Sequence, residues 1–248
     1  MRNNIIFSTL HFLDLETEFV SLLLASRVPD KSFQVICEDR AQQEEGTTTS
    51  DMIMRHVKDY NASTLVVGQF GRKGPSVWSS GTNADGTLQL AHLAEAVTVV
   101  TAKPNSRDND RPRTFVVGMD GSSRSRAALK YAMERARKGD EISIVHVRNE
   151  VKESLGFNPL EEIDLRAKED SKNFIENKSL IVEIKYLGRN LLMRLSDQVL
   201  HFAKEKEATY LVIGRDGDAA VKRALRMKTG TVAGKIVHQS RMTSIVVG

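Results

Sequence analysis

The sequence predicts an α/β protein with two doubly wound, parallel-sheet domains in tandem. One stretch occurs twice, about 146 residues apart: residues 64–71 and 210–217 are each an apolar run that ends in Gly-x-x-Gly. Each copy is followed, 27 residues after its last glycine, by another apolar run. Strand patterns alternate with helical patterns and lack hairpin signals, which is typical of a parallel sheet covered on both faces. The repeated spacing indicates two copies of one module.

Length and composition are those of a soluble globular protein. The chain has 248 residues, 40% hydrophobic and 27% charged, which suits two domains of roughly 100–150 residues. The net charge of +4 is modest, so nucleic acid is not an expected partner. The only cysteine, Cys37, excludes an intrachain disulfide. No apolar stretch approaches a membrane span and the first residues lack a secretory pattern, so we expect a cytoplasmic protein without membrane contact.

The first copy, residues 1–103, is the shorter one. Its apolar runs predict strands at 4–10, 32–37, 64–68 and 98–102, with helices at 14–27 and 50–60. Compared with the second copy, one helix–strand unit is missing. Loss of an edge strand exposes less apolar surface than loss of a central strand, which favours a four-stranded sheet here. The alternative is that the first strand and helix of the module were lost.

The second copy, residues 113–248, follows a polar, proline-flanked linker at 104–112. Its patterns predict strands at 115–119, 142–147, 181–187, 210–214 and 244–248. Helices are predicted near 127–136, 160–175, 191–207 and 231–239. We therefore expect a five-stranded parallel sheet in this copy, separate from the sheet of the first.

Three motifs of the second copy carry a family resemblance. They are Val-Val-Gly-Met-Asp-Gly-Ser-Ser at 116–123, Ile-Val-His-Val at 144–147, and Gly214-x-x-Gly217 with a later Gly230-Thr231. These motifs resemble a universal stress protein domain, and the whole chain resembles a tandem universal stress protein whose first domain is abbreviated and divergent. The resemblance implies Rossmann-type domains that bind an adenine nucleotide such as ATP or AMP, optionally with Mg²⁺. It also implies a stress-response sensor or regulator, implies pairing of the two domains within the chain, and allows a homodimer.

The resemblance assigns the binding residues by position. Asp120 would contact the ribose and adenine part of the nucleotide, and the Val147 backbone would contact the edge of the adenine ring. In a doubly wound sheet, ligands bind beyond the carboxyl ends of the strands where the strand order reverses. Asp120 as a helix cap and Gly217 as a plain turn residue are the structural alternatives, and we expect His146 to be structural. The phosphates would lie at Gly214, Gly217, Gly230 and Thr231.

Both copies depart from the family pattern. Twelve residues rather than nine separate Gly217 from Gly230. In the first copy Gly68, Gly71, Gly81 and Thr82 have the family spacing and form a weaker, secondary site, but Leu10 occupies the position of Asp120. We therefore expect binding chiefly in the second copy. The alternative is an interaction or dimerisation module of the same fold that binds no nucleotide. No general base or metal-binding carboxylate pair is visible, so we assign no catalytic or metal residue and expect at most slow ATP hydrolysis.

Overall fold

A computed structural model describes the chain at residues 5–10, 33–38, 49–68, 97–102, 112–148, 165, 167–169, 172, 180–188, 190, 192–215 and 231–248. The chain divides into two compact units, residues 1–63 and 64–248. None of the helices within the described ranges is long and apolar enough to cross a membrane. The helix expected at 14–27 and the linker at 104–111 lie outside these ranges.

The first unit contains a small parallel sheet and one helix. Strands β1 (Ile5–Leu10) and β2 (Phe33–Glu38) pair from Ile5 with Phe33 to Leu10 with Glu38. Helix α1 (Thr49–Asp59) has an acidic residue in its first turn and basic residues in its last turn, as the helix dipole favours. The helix buries Met52, Met54 and Val57. All three elements lie within one residue of their predicted bounds.

The second unit is a seven-stranded sheet with the order β3-β4-β9-β8-β5-β6-β7. Its helices within the described ranges include α2 (Ser123–Arg135), α3 (Leu195–Glu205) and α4 (Thr231–Gln239). From β5 onwards the strands are all parallel and doubly wound, which confirms the α/β fold predicted for residues 113–248. The strands are β3 (Thr64–Gly68), β4 (Thr98–Ala102), β5 (Thr114–Gly118), β6 (Glu141–Val147), β7 (Ile181–Leu187), β8 (Tyr210–Gly214) and β9 (Thr243–Val247).

The central strands are buried on both faces, which explains their continuous apolar runs. On one face, Phe115, Val117 and Ile144 belong to a core that includes Leu129 of α2. On the opposite face, the side chains pack with α3 and α4 in a second core. Its largest members include Val116, Val145, Phe202, Leu211 and Ile236.

The expectation of a separate sheet for each copy is wrong. Strand β4, the last strand predicted for the first copy, pairs antiparallel with β9 of the second. Val100, the middle residue of β4, lies opposite Ile245, the middle residue of β9, so a local twofold axis passes through this pair. Each strand would otherwise be an edge with a row of unpaired N–H and C=O groups, and the pairing satisfies both rows.

The four-stranded sheet expected for the first copy is also not formed among the described strands. β1 and β2 make a two-stranded sheet of their own, whereas β3 and β4 belong to the seven-stranded sheet. The parallel pairing of β3 with β4, from Thr64 with Thr98 to Gly68 with Ala102, does follow the predicted pattern.

A buried ion pair joins the amino ends of β5 and β6. The Arg113 side chain donates to Asp140 Oδ2 through Nη2 at 2.7 Å and Nε at 3.0 Å, and its backbone N–H donates to Oδ1 at 2.8 Å. The Arg137 backbone N–H also donates to Oδ2, at 2.7 Å. Burial alone would raise the pKa of Asp140, but these hydrogen bonds and the guanidinium charge outweigh it and hold the pKa below its usual value of 3.8. Arg113 Nη2 also donates to the Arg135 carbonyl at 2.8 Å, so the end of α2 joins the same cluster.

Asp140→Asn should lower the free energy of unfolding by about 3 kcal/mol, because it removes one partner of a buried ion pair. Chemical unfolding followed by circular dichroism measures the loss. Glu134→Gln is the matched control, since Glu134 pairs with Lys130 on the exposed face of α2, and it should cost less than about 0.5 kcal/mol. Equal losses in the two variants would contradict the role of the buried pair.

The sign of the pH effect follows from the depressed pKa. The stabilisation by Asp140 is fully present above the unfolded-state value near 3.8 and is lost as the pH falls through the lower folded-state pKa. The difference in stability between the parent and Asp140→Asn should therefore shrink in acid.

The β4–β9 pairing predicts a specific disulfide. In a Cys37→Ser background, Val100→Cys combined with Ile245→Cys should crosslink under mild oxidant, because directly opposite residues of antiparallel strands have Cα atoms about 4.5–5.5 Å apart, within disulfide range. Val100→Cys combined with Val246→Cys is the control, since adjacent residues of β9 point to opposite faces. Equal crosslinking of the two pairs, measured by non-reducing gel or mass spectrometry, would disprove this register.

Candidate functional site

The strand order of the second unit reverses between β5 and β8. From β5 the chain proceeds outward through β6 to β7, then returns to β8 on the other side of β5. In this topology a crevice opens beyond the carboxyl ends of the two strands that flank the reversal. Asp120 follows the end of β5 by two residues, Gly214 is the last residue of β8, and Val147 is the last residue of β6. Three of the predicted binding residues thus lie at the same edge of the sheet.

Asp120 shapes the loop between β5 and α2. Its Oδ1 accepts hydrogen bonds from the Ser122 backbone N–H at 3.1 Å and the Ser122 hydroxyl at 2.6 Å. Ser122 is the helix cap, because its Oγ accepts from the Ser125 N–H at 3.2 Å. Gly121 has a φ of +86°, a conformation that favours glycine. Ser122, and not Asp120, is therefore the cap residue of α2, and the Asp120 carboxylate supports the cap from two residues earlier in the chain.

His146 of β6 fixes the residue that precedes Asp120. The Met119 N–H donates to the Val145 carbonyl at 2.9 Å, and His146 Nδ1 lies 2.7 Å from the Met119 carbonyl oxygen. A carbonyl can only accept, so the hydrogen of this bond belongs to Nδ1. The ring is buried and meets the Tyr186 ring edge-on, with centroids 6.3 Å apart. The expected structural role of His146 agrees with these contacts, but its link to the Asp120 loop was not predicted from the sequence.

Gly214 allows β8 and α2 to approach each other closely. A Cβ at this position would lie 2.7 Å from the backbone carbonyl carbon of Arg124 and 2.8 Å from the backbone nitrogen of Ser125. The sequence analysis placed this glycine next to the phosphates of a bound nucleotide. The structure adds an independent reason for it, namely the packing of the first turn of α2 against the end of β8.

The other predicted binding residues are described only in part. Thr231 is the first residue of α4, as the sequence predicted. In the first copy, Gly68 ends β3 and Leu10 ends β1. Among the described residues, no group of three or more potential metal ligands comes together. Five predicted residues lie outside the described ranges: Gly217 and Gly230 in the second copy, and Gly71, Gly81 and Thr82 in the first.

Three solved structures of universal stress proteins are similar to this chain over about half of its length. A universal stress protein from Archaeoglobus fulgidus is 24% identical, with 55% of this chain and 93% of that chain covered and a TM-score of 0.39. A universal stress protein in complex with cAMP is 23% identical over 55% and 96% of the two chains, with a TM-score of 0.39. The Archaeoglobus fulgidus protein in complex with dAMP is 23% identical over 56% and 98%, with a TM-score of 0.37.

No curated protein matches the chain. The sequence pattern of the universal stress protein family, however, matches residues 112–248, which is more than half of the chain. The matched residues are those that form the doubly wound part of the sheet, from β5 to β9, together with the candidate site. The chain therefore belongs to the universal stress protein family.

Proposed function

We propose that the chain binds an adenine nucleotide, ATP or AMP, in the crevice between β5 and β8. The observation that carries the proposal is the placement of Asp120 beside the point where the strand order reverses, with the end of the adjacent strand β6 at the same edge of the sheet. A carboxylate there accepts hydrogen bonds from ribose hydroxyls. The backbone of Val147 supplies one donor and one acceptor, which is what the edge of an adenine ring needs.

The phosphate side of the proposed site is formed by Gly214, Gly217, Gly230 and Thr231. Thr231 begins α4, and the first N–H groups of a helix have no partner within it and lie at the positive end of its dipole. This makes the start of α4 suited to an anion. Mg²⁺ would accompany a triphosphate. The first copy contributes at most the weaker loop at Gly68, Gly71, Gly81 and Thr82.

We further propose that residues 1–103 form an abbreviated, divergent domain of the same family, joined by the linker at 104–112 to the domain at 113–248. The antiparallel pairing of β4 with β9 about a local twofold axis supports this view, because it joins the last strands of the two copies symmetrically. Nucleotide occupancy of the second domain would then be the signal of a cytoplasmic stress-response sensor or regulator.

The direct experiment is to purify the full chain, release any bound small molecule by denaturation and identify it by mass spectrometry. Calorimetric titration with AMP, ATP, cAMP and dAMP then gives the affinities. Absence of co-purified nucleotide together with absence of heat for all four ligands would reject nucleotide binding.

Asp120→Ala should weaken adenine-nucleotide binding by about 1–3 kcal/mol, because it removes an acceptor for the ribose and also releases Ser122. Asp120→Asn separates the two effects, since the amide oxygen still accepts from Ser122 while the charge is lost. We expect Asp120→Asn to have an intermediate affinity. Leu10→Ala, at the equivalent position of the first copy, should bind as the parent does. Equal losses in Asp120→Ala and Leu10→Ala, measured by calorimetry, would overturn the assignment to the second copy.

Two observations favour the second candidate function, an interaction or dimerisation module that binds no nucleotide. The close approach of α2 explains Gly214 without any ligand, and β4 pairs with β9 through their edges, which is how an interaction module of this fold would join two sheets. In this alternative, the Asp120 loop has a structural role only.

Gly214→Ala tests the packing role of this glycine. The added methyl group would meet the Arg124 backbone, which cannot move aside as a side chain can, so the free energy of unfolding should fall by about 2 kcal/mol. Gly188→Ala is the matched control, because no atom lies within 4 Å of a Cβ built there. If Gly214→Ala is as stable as Gly188→Ala in urea unfolding, the close packing of β8 with α2 is not a constraint on this residue.

A further inference from the structure

From the hydrogen bonds at the end of β6, we infer that His146 is a positioning residue for the nucleotide. By orienting the Met119 carbonyl towards its ring, it ends the β5–β6 ladder one bond early and keeps the Val147 N–H directed at the crevice. The inference rests on the proposed function for its ligand, but the backbone arrangement it describes exists without one.

The direction of the Val147 backbone follows from its neighbours. In a parallel pair, alternate residues direct both N–H and C=O to the same neighbouring strand. Val145 is directed to β5, because its carbonyl accepts from the Met119 N–H at 2.9 Å. Arg148 is directed to β7, because its N–H donates to the Leu187 carbonyl at 2.9 Å. Val147 is therefore directed to the β5 side again, just beyond the last β5–β6 pair, Gly118 with Val145.

A regular ladder would continue with a bond from the Val147 N–H to the Met119 carbonyl. That carbonyl instead accepts from His146 Nδ1, at 2.7 Å. Among the backbone hydrogen bonds between described residues, none joins Val147 to Met119. The His146 side chain thus bonds to the carbonyl that a continued ladder would connect to Val147. Because a carbonyl oxygen has two lone pairs, the ring acts by orienting this carbonyl and not by saturating it.

The histidine has little freedom to give up this acceptor. It is only 7% exposed, with Tyr186 of β7 against its ring. The same side chain therefore sets two features of the proposed site. It anchors Met119, whose next residue is Asp120, and it leaves the Val147 N–H as a donor for the base.

Two variants of the full chain separate these effects. His146→Leu fills the site without a donor, so the Met119 carbonyl becomes available to Val147 and the ladder gains a bond. His146→Asn keeps a donor close to the position of Nδ1. By nuclear magnetic resonance, the Val147 amide of the parent should exchange with solvent quickly and slow down when AMP is added. In His146→Leu it should exchange slowly without AMP, and AMP affinity should fall about tenfold. His146→Asn should resemble the parent in both measurements.

The control is His201→Leu, the same substitution on the exposed face of α3, which should leave both measurements unchanged. The inference is overturned if Val147 exchange and AMP affinity in His146→Leu equal those of the parent. Should that variant not fold, the parent decides alone: imidazole nitrogen shifts that place the hydrogen on Nε2 overturn the inference, and those that place it on Nδ1 support it. If the parent binds no adenine nucleotide, the proposed function fails, and the exchange of Val147 in the two His146 variants still decides the role of the ring.

Discussion

The contact between β8 and α2 is the constraint on which the crevice depends. Because residue 214 has no side chain, the first turn of α2 lies against the end of the neighbouring strand, with backbone atoms at a distance that a Cβ would not allow. This contact fixes where α2 begins. The start of α2 in turn fixes Ser122, its cap, and Ser122 holds the Asp120 carboxylate. The position of one acidic group at the crevice is thus set by a chain of contacts that begins at a glycine on another strand.

Side chains connect β5 with β6 at both ends of the strands, through an ion pair at the amino end and through a histidine hydrogen bond at the carboxyl end. At the amino end, a buried ion pair joins Arg113 to Asp140 through several charge-assisted hydrogen bonds, which are the strong kind. At the carboxyl end, one imidazole bonds to one carbonyl. The Arg113–Asp140 pair lies at the opposite end of the strands from the crevice, and it keeps β5 and β6 in register. The Asp120 carboxylate lies at the carboxyl end, in the loop that follows β5.

Much of the domain at 113–248 could be predicted from the sequence, because strands buried on both faces give continuous apolar runs. Strands β7 and β8 have the predicted bounds, and β5, β6 and β9 differ by about one residue. The cap of α2 could not be assigned, since Asp120 and Ser122 are both good capping residues and only the geometry around Gly121 separates them. The role of His146 could not be predicted either, because the sequence does not indicate the hydrogen-bond partner of a buried histidine in a strand. Of the four residues predicted to contact the phosphates, Gly214 and Thr231 lie within the described ranges, whereas Gly217 and Gly230 are assigned from the sequence alone.

The pairing of β4 with β9 was outside the reach of sequence patterns for a different reason. Apolar periodicity indicates which strands are buried, but it does not indicate which edge strands pair with each other when they are distant in the sequence.

The pairing of β4 with β9 also has a consequence for the order of folding. The strands of the 113–248 domain can associate over short stretches of chain, as β5 and β6 do, whereas Val100 and Ile245 are separated by more than half of the chain. Contacts between distant residues form late, because loop closure must precede any gain from them. The domain at 113–248 should therefore act as the template on which β3 and β4 complete their structure, and a chain stalled before β9 is synthesised would leave β4 as an open, aggregation-prone edge.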